Sequence, residues 1–285
     1  MGRPRRVPRA EHVLKARILT AIVMLAVLSV ALTSFSTQAW IAFVALIAAL
    51  AGWEWGGLAG WSSMPRIAYG AGLGALVALV SIVSGLWQGV LTPATLVPVL
   101  LVSVVFWAVF AFPWLLRRWA LGHGLAAFLV GLVVILPTAL AMIILRETDV
   151  ALLLSAMAVV WVADIAAYFS GRAFGRRKLA PAISPGKSWE GVYGAIIGVE
   201  LYGLVLVFAF GIELSAGMLI LGALALVVLT AVSVVGDLFE SLLKRQAGIK
   251  DSSGLLPGHG GVLDRIDSLT STLPMVACAM LLLSV

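Results

Sequence analysis

"LAAFLVGLVVILPTALAMIIL", Leu125–Leu145, contains no charged residue and lies between Gly124 and Arg146. About twenty apolar residues are enough for a helix to cross the hydrocarbon core of a bilayer. Runs of this kind recur along the whole chain. Its 285 residues are 62% hydrophobic and only 11% charged, where a soluble domain would be about 25% charged. Inside a membrane every backbone N–H and C=O must find its partner within the protein, which favours helices. The fold class expected is therefore an all-α polytopic membrane protein. About nine transmembrane helices are expected, near Ile18–Phe35, Ala39–Gly60, Ile67–Leu86, Leu91–Leu115, Leu125–Leu145, Ala151–Ser170, Gly191–Ile212, Ser215–Gly236 and Leu269–Val285.

The basic residues orient these spans. With the N-terminus inside, eighteen of the nineteen Lys and Arg fall on one side, and only Arg146 falls outside. That asymmetry follows the positive-inside rule. It accounts for the net charge of +6 without a nucleic-acid partner. The N-terminus is expected in the cytoplasm and the C-terminus outside. The chain divides into a basic cytoplasmic arm (1–17), N-terminal transmembrane helices (18–150) and a catalytic transmembrane region with two cytoplasmic loops (151–285). The first span reads as an uncleaved anchor, its apolar run being long and without a small-residue cleavage site. The protein is expected in the cell (plasma) membrane. The single cysteine, Cys278, and the three histidines give no zinc-ligand spacing.

Ionisable groups within spans are costly and so are functional candidates. Glu54, Asp164, Glu200, Asp237 and Glu240 are the carboxylates in or near spans. Glu54, between Trp53 and Trp55, reads as structural, in an interfacial aromatic belt. Glu200 lies deep in its span with no partner evident. Asp237, Glu240, Ser241 and Lys244 share one helix face by spacing. Alone they could be a solvated helix end with an ion pair. The next loop argues otherwise. "GLLPGHGGVLDRIDS", Gly254–Ser268, sets Asp264 and Asp267 one helical turn apart, beside His259, Arg265 and three glycines. Carboxylates without Cys or His suit Mg²⁺. Lys244, Arg245, Lys250, His259 and Arg265 are phosphate-compatible donors, and Gly258, Gly260 and Gly261 would let the backbone approach a phosphate. This composition describes a phosphoryl- or nucleotidyl-transfer site. Positive-inside topology alone explains the cations but not the aspartates and glycines.

The other long loop, Gly171–Glu190, contains "SPGKSWEG". Gly186-Lys187-Ser188 is not a P-loop, because Pro181 stands where the first glycine is required and no strand precedes it. Instead Ser184, Lys187, Ser188 and Glu190 approach a helix N-terminus, which can hold an anion. Gly171 and Gly175 read as helix packing, and His123 as a surface residue.

The stretch Ser241–Ser268, "SLLKRQAGIKDSSGLLPGHGGVLDRIDS", resembles the signature of the phosphatidate cytidylyltransferases, the CDP-diacylglycerol synthases. Ser241, Lys244, Arg245, Lys250, Asp251, His259, Gly260, Gly261, Asp264, Arg265 and Asp267 carry the resemblance. The stretch around Asp237 and the "SPGKSWEG" loop are also similar to family motifs. The resemblance implies that CTP and phosphatidic acid give CDP-diacylglycerol and pyrophosphate, with Mg²⁺ required and room for a second cation. It also implies in-line attack by a phosphatidate oxygen on the α-phosphorus of CTP. Asp237 and Asp264 are then the first choice of metal ligand, Asp267 and Asp251 the second. Lys244, Arg245, Lys250 and Arg265 hold phosphates, and His259 steadies pyrophosphate. Lys187, Ser188 and Ser184 reach CTP or the lipid head group. A homodimer is compatible with this reading, and membrane lipids surround it. Two rivals remain, a transporter, which would place polar groups near the bilayer midplane, and a CTP-dependent lipid kinase.

Overall fold

The computed structural model describes residues 10–283, with side chains from Arg17 onward. Arg3, Arg5, Arg6 and Arg9 of the basic arm lie outside the described residues. The helices in order are α1 (Ala10–Ser34), α2 (Thr37–Leu58), α3 (Ser63–Val83), α4 (Pro93–Val105), α5 (Ala111–Arg117), α6 (Leu125–Thr148) and α7 (Val150–Phe174). A hairpin of β1 (Lys178–Ala180) and β2 (Ser184–Ser188) leads into α8 (Trp189–Ala209), α9 (Ala216–Gln246), α10 (Leu263–Ile266) and α11 (Leu269–Leu283). Among the described residues eight helical spans are long and apolar enough to cross a bilayer, with α4 and α5 counted as one. They are joined by a π-turn at Phe106–Phe110.

Two expected boundaries shift. The eighth span does not end at Gly236; α9 runs 31 residues to Gln246. About twenty residues cross the core, so its last turns project beyond it and carry Asp237, Glu240, Ser241 and Lys244. The ninth expected span is a shorter helix of 15 residues, about 22 Å at 1.5 Å per residue. It is buried on most sides, at Leu269–Pro274, Ala277, Cys278 and Leu281. Ser271 donates to the Val232 carbonyl of α9 and Thr138 of α6 to the Thr270 carbonyl. These bonds tie α11, and the loop before it, into the bundle.

Helix α6 is the hub, with Val134–Leu145 continuously buried. The π-turn widens the α4–α5 span where Phe106 and Trp107 meet Phe239 of α9 edge-on, each with ring centroids 5.5 Å away. Trp114 adds a third ring against Phe239. This cluster fixes the turn of α9 next to Glu240. At the end of α9, Gln246 bonds the backbone of Arg118, Trp119 and Leu121.

Helices α7 and α8 pack closely through small residues. A methyl on Gly198 would lie 2.7 Å from Ala166, and one on Gly191 3.0 Å from the Ala167 carbonyl. Gly171 faces Ser188 and Gly191, in keeping with the packing role read from sequence. Only a small cluster (Val159, Ala163, Ala195, Val199) holds this unit's interior, which leaves space between α7, α8, α9 and the hairpin.

Candidate active site

The signature loop is organised around two carboxylates. Glu54, at the cytoplasmic-facing end of α2 in the expected topology, is fully buried. Its Oε1 accepts from Ser253 Oγ at 2.6 Å and Val262 N at 2.9 Å; its Oε2 accepts from Leu263 N at 2.6 Å and Ser252 Oγ at 3.2 Å. It caps the start of α10, from a position 208 residues earlier in the chain. Of the two tryptophans read as an aromatic belt, Trp55 is buried and donates to the Ala127 carbonyl, while Trp53, half-buried, lies under Arg66. Sequence reading saw a structural residue here but not what it supports.

Asp264 is the second organiser. Its Oδ2 accepts from Ser252 N (2.8 Å), Ser252 Oγ (2.9 Å) and Gly261 N (2.8 Å), and its Oδ1 from Lys244 Nζ (2.6 Å). Burial opposes its ionisation, but the Gly261 N–H, Lys244 and the Ser252 N–H together hold it below the usual carboxylate range. The glycines read as room for phosphate have a nearer use. A methyl on Gly260, at φ +81°, would lie 2.5 Å from Asp264 Oδ2, and one on Gly261 would collide with Glu54 Oε1 and Ser252 Oγ. Only glycine lets the loop close over both carboxylates.

Lys244 is almost buried and bridges Glu240 (3.0 Å) and Asp264 (2.6 Å). Asp267 accepts from Ser268 N at 2.7 Å, and Glu240, paired with Lys244 through Oε2, keeps its buried Oε1 without a hydrogen-bond partner among the described residues. Burial, then the negative charge of Asp237, pushes Asp267 up to about 7. Asp237 accepts from Ser241 Oγ at 3.2 Å and pairs with Lys187 from β2. Asp237 and Asp267, one from each segment, thus sense each other's charge. Among the described residues no three His, Cys, Asp or Glu side chains converge as a ready-made metal cage.

Two cavities flank these groups. The first, about 430 Å³, lies between α7, α8, α9 and the hairpin. Its floor is polar, with Asp164, Ser184, Lys187, Ser188 and Asp237, and its walls are apolar, including Ala163, Ala167, Val192 and Ala195. Ser188 is also the N-cap of α8, accepting from Gly191 N at 3.2 Å. The second, about 540 Å³, is lined by Arg17, Lys250, Asp251, His259 and Arg265 along the loop. Arg265 lies between the two, since its charge also reaches Asp164. Arg245 is the outlier. Its guanidinium bonds the Ile183 and Ile249 carbonyls at 3.4 and 3.5 Å, so it latches the hairpin to α9 and lines neither cavity. Asp164 and Arg17, which sequence reading did not assign to the site, are brought into it. Asp164 was flagged by its place in a span. Arg17 carried no such signal.

A profile described as the cytidylyltransferase family matches residues 15–283. The chain is 41% identical over 273 residues to a protein of Pseudomonas aeruginosa named phosphatidate cytidylyltransferase, covering 93% of this chain and 96% of that one. A Haemophilus influenzae protein of the same name is 56% identical over 124 residues, 43% of each chain. One from Brucella suis is 42% identical over 160 residues, 55% of this chain and 57% of its own.

Proposed function

This chain belongs to the cytidylyltransferase family, and from that premise we propose how its two cavities divide the work of a phosphatidate cytidylyltransferase. The reaction joins CTP to phosphatidate and yields CDP-diacylglycerol and pyrophosphate in phospholipid biosynthesis. One phosphatidate oxygen forms a bond to the α-phosphorus of CTP, and the bond from that phosphorus to the bridging oxygen of the β-phosphate breaks. The nucleophile is already anionic near neutral pH, so positioning and charge neutralisation do most of the work.

The observation that carries the assignment is the contrast between the cavities. The first combines an apolar wall with a polar floor of Lys187, Ser188 and Asp237, as an acylated phosphate leaving the bilayer requires. The second is polar and basic, with Lys250, His259 and Arg265, as a nucleotide phosphate requires. Each volume falls in the usual range of small-molecule sites, roughly 300–1,000 Å³. The carboxylates between them are where the two phosphates meet.

We place Mg²⁺ on Asp237 and Asp267. Mg²⁺ needs only one or two carboxylates plus substrate phosphates; Asp237 comes from α9 and Asp267 from the end of the signature loop, and the negative charge of Asp237 reaches Asp267. Asp264 suits the ion less, because four protein donor bonds already converge on its two oxygens. When bound, the ion would neutralise charge developing on the phosphates. Lys187 would hold the lipid phosphate, and Lys250, His259 and Arg265 the nucleotide. The loops are proposed to face the cytoplasm of the cell membrane, where CTP is found. A homodimer is compatible with this reading.

The test is transfer from radiolabelled CTP by the purified protein to a panel of lipid phosphates and lipid alcohols. Label from the α-phosphate should enter phosphatidate, with pyrophosphate released. Transfer of the γ-phosphate to an alcohol would favour the kinase reading instead.

A further inference from the structure

We propose that Arg17, on the first helix, is a substrate-binding residue that closes the second cavity over the terminal phosphates of the nucleotide. The assignment rests on the nucleotidyl-transfer reading and extends it to a part of the chain far from the signature. By sequence, Arg17 is explained by membrane topology alone.

Helix α1 reaches the signature loop through Arg17 and Thr20. Thr20 Oγ1 donates to the Pro257 carbonyl at 3.0 Å, across 237 residues of sequence. Gly258, at φ +77°, lies directly beneath the Arg17 stem, and a methyl there would be 2.7 Å from Arg17 Cγ. Among the described residues of this half of α1, Ile18, Leu19, Ile22 and Val23 face away from the rest of the protein. Its other end is anchored separately, with Ala31 and Leu32 buried and Arg146 donating to the Leu32 and Phe35 carbonyls. The helix is thus held in the bundle at its far end and meets the loop at Thr20 and Arg17.

What the near end covers is a site short of anions. Arg17, Lys250 and Arg265 line the cavity, and among the described residues none of them makes an ion pair or a side-chain hydrogen bond. Among the described residues Asp251 is the one carboxylate in the lining. His259 Nδ1 is buried with no hydrogen-bond partner among the described residues. Three uncommitted cations and an unsatisfied imidazole nitrogen around a cavity of about 540 Å³ fit a polyphosphate. A guanidinium offers the forked donors that phosphate oxygens accept two at a time.

Position selects which phosphates. Asp237 and Lys187 line the first cavity and not the second, whereas Arg17 lines the second and not the first. The reacting α-phosphorus belongs beside Asp237. Arg17, beside Gly258 in the lining of the second cavity alone, is then assigned to the end of the nucleotide that departs as pyrophosphate.

The experiment compares the full-length protein with Arg17→Gln and Arg17→Lys in detergent. It measures KM for CTP and for phosphatidate, inhibition by pyrophosphate, binding of pyrophosphate without lipid, and thermal stability. Arg17→Gln should raise KM for CTP and weaken pyrophosphate binding by about tenfold or more, the effect of losing one charged hydrogen bond. KM for phosphatidate and thermal stability should stay within twofold and a few degrees of the parent, and Arg17→Lys should recover part of the loss. Unchanged CTP and pyrophosphate affinity would overturn the assignment. So would a loss shared equally by both substrates with lowered stability, which would make Arg17 a strut. If the parent protein turned over no CTP, the nucleotidyl-transfer reading itself would fall and take this assignment with it, a result distinct from failure of Arg17 alone.

Discussion

Glu54 offers the sharpest test of how the signature loop is held, because its geometry dictates what glutamine would do there. Each carboxylate oxygen accepts one fixed backbone N–H and one rotatable hydroxyl: Val262 N and Ser253 Oγ at Oε1, Leu263 N and Ser252 Oγ at Oε2. In Glu54→Gln the serines can turn to accept, but the amide NH₂ must face one of the two backbone N–H groups in either orientation. One buried donor is left unpaired, at a cost of about 1–3 kcal/mol. Glu54→Ala orphans both, roughly doubling that cost. The loop it releases carries Asp264 and leads to Asp267. Misplacing such groups by about 1 Å can cost about a hundredfold in rate. Thermal unfolding and steady-state turnover in detergent should therefore rank Ala below Gln below the parent, with turnover falling about tenfold or more in Gln and KM for phosphatidate little changed. Turnover within twofold of the parent in Glu54→Ala would refute the reasoning.

Asp237→Asn and Asp267→Asn should each lower turnover by about two orders of magnitude, and the double variant should be little worse than either, since groups acting as one unit are non-additive; titration of activity with Mg²⁺ in all three checks this. Cysteines at Gly186 and Gly254, where an added side chain meets nothing within 4 Å, should be labelled only from the cytoplasmic side in a Cys278→Ala background. Labelling from outside would overturn the orientation. Lys187→Met frees Asp237 from its ion pair, so thermal stabilisation by Mg²⁺ should need several-fold less ion while KM for phosphatidate rises. An unchanged Mg²⁺ dependence would make the pair purely structural.

How far the sequence was legible depends on range. Apolar runs and basic asymmetry act locally, so the helical spans could be read directly, and the i, i+4 spacing of α9 anticipated both Asp237–Ser241 and Glu240–Lys244. The composition of the loop marked the region of the site. What it could not mark were contacts across the chain. Glu54 looked like a residue of an aromatic belt because its partners lie some two hundred residues away. Arg245 sits beside Lys244 and looked equivalent to it, yet a helix turns its neighbours by about 100°, and the two side chains leave α9 in different directions. Gly260 and Gly261 suggested a phosphate cradle, whereas the atoms that need their space are the protein's own carboxylates.

The cations of the site fall into two kinds, and the division follows the medium each faces. Lys187, in the lining of the first cavity, and Lys244 are committed to carboxylates, while Arg172, also in that lining, bonds the Tyr168 hydroxyl. Arg17, Lys250 and Arg265 are uncommitted among the described residues, on the side of the polar loop. An unpaired charge near hydrocarbon is expensive, so the pairing of Lys187 with Asp237 suits a cavity that, in the proposed reaction, receives the lipid. A cavity open to water has no such need, because solvent stabilises its cations while it waits. In the proposed reaction CTP then meets a preformed anion site, while the lipid phosphate must displace Asp237 from Lys187. That exchange becomes favourable only once something else compensates Asp237, and a nucleotide-bound divalent ion would do so. The pairing of Lys187 with Asp237 thus couples occupation of the lipid side to prior occupation of the nucleotide side.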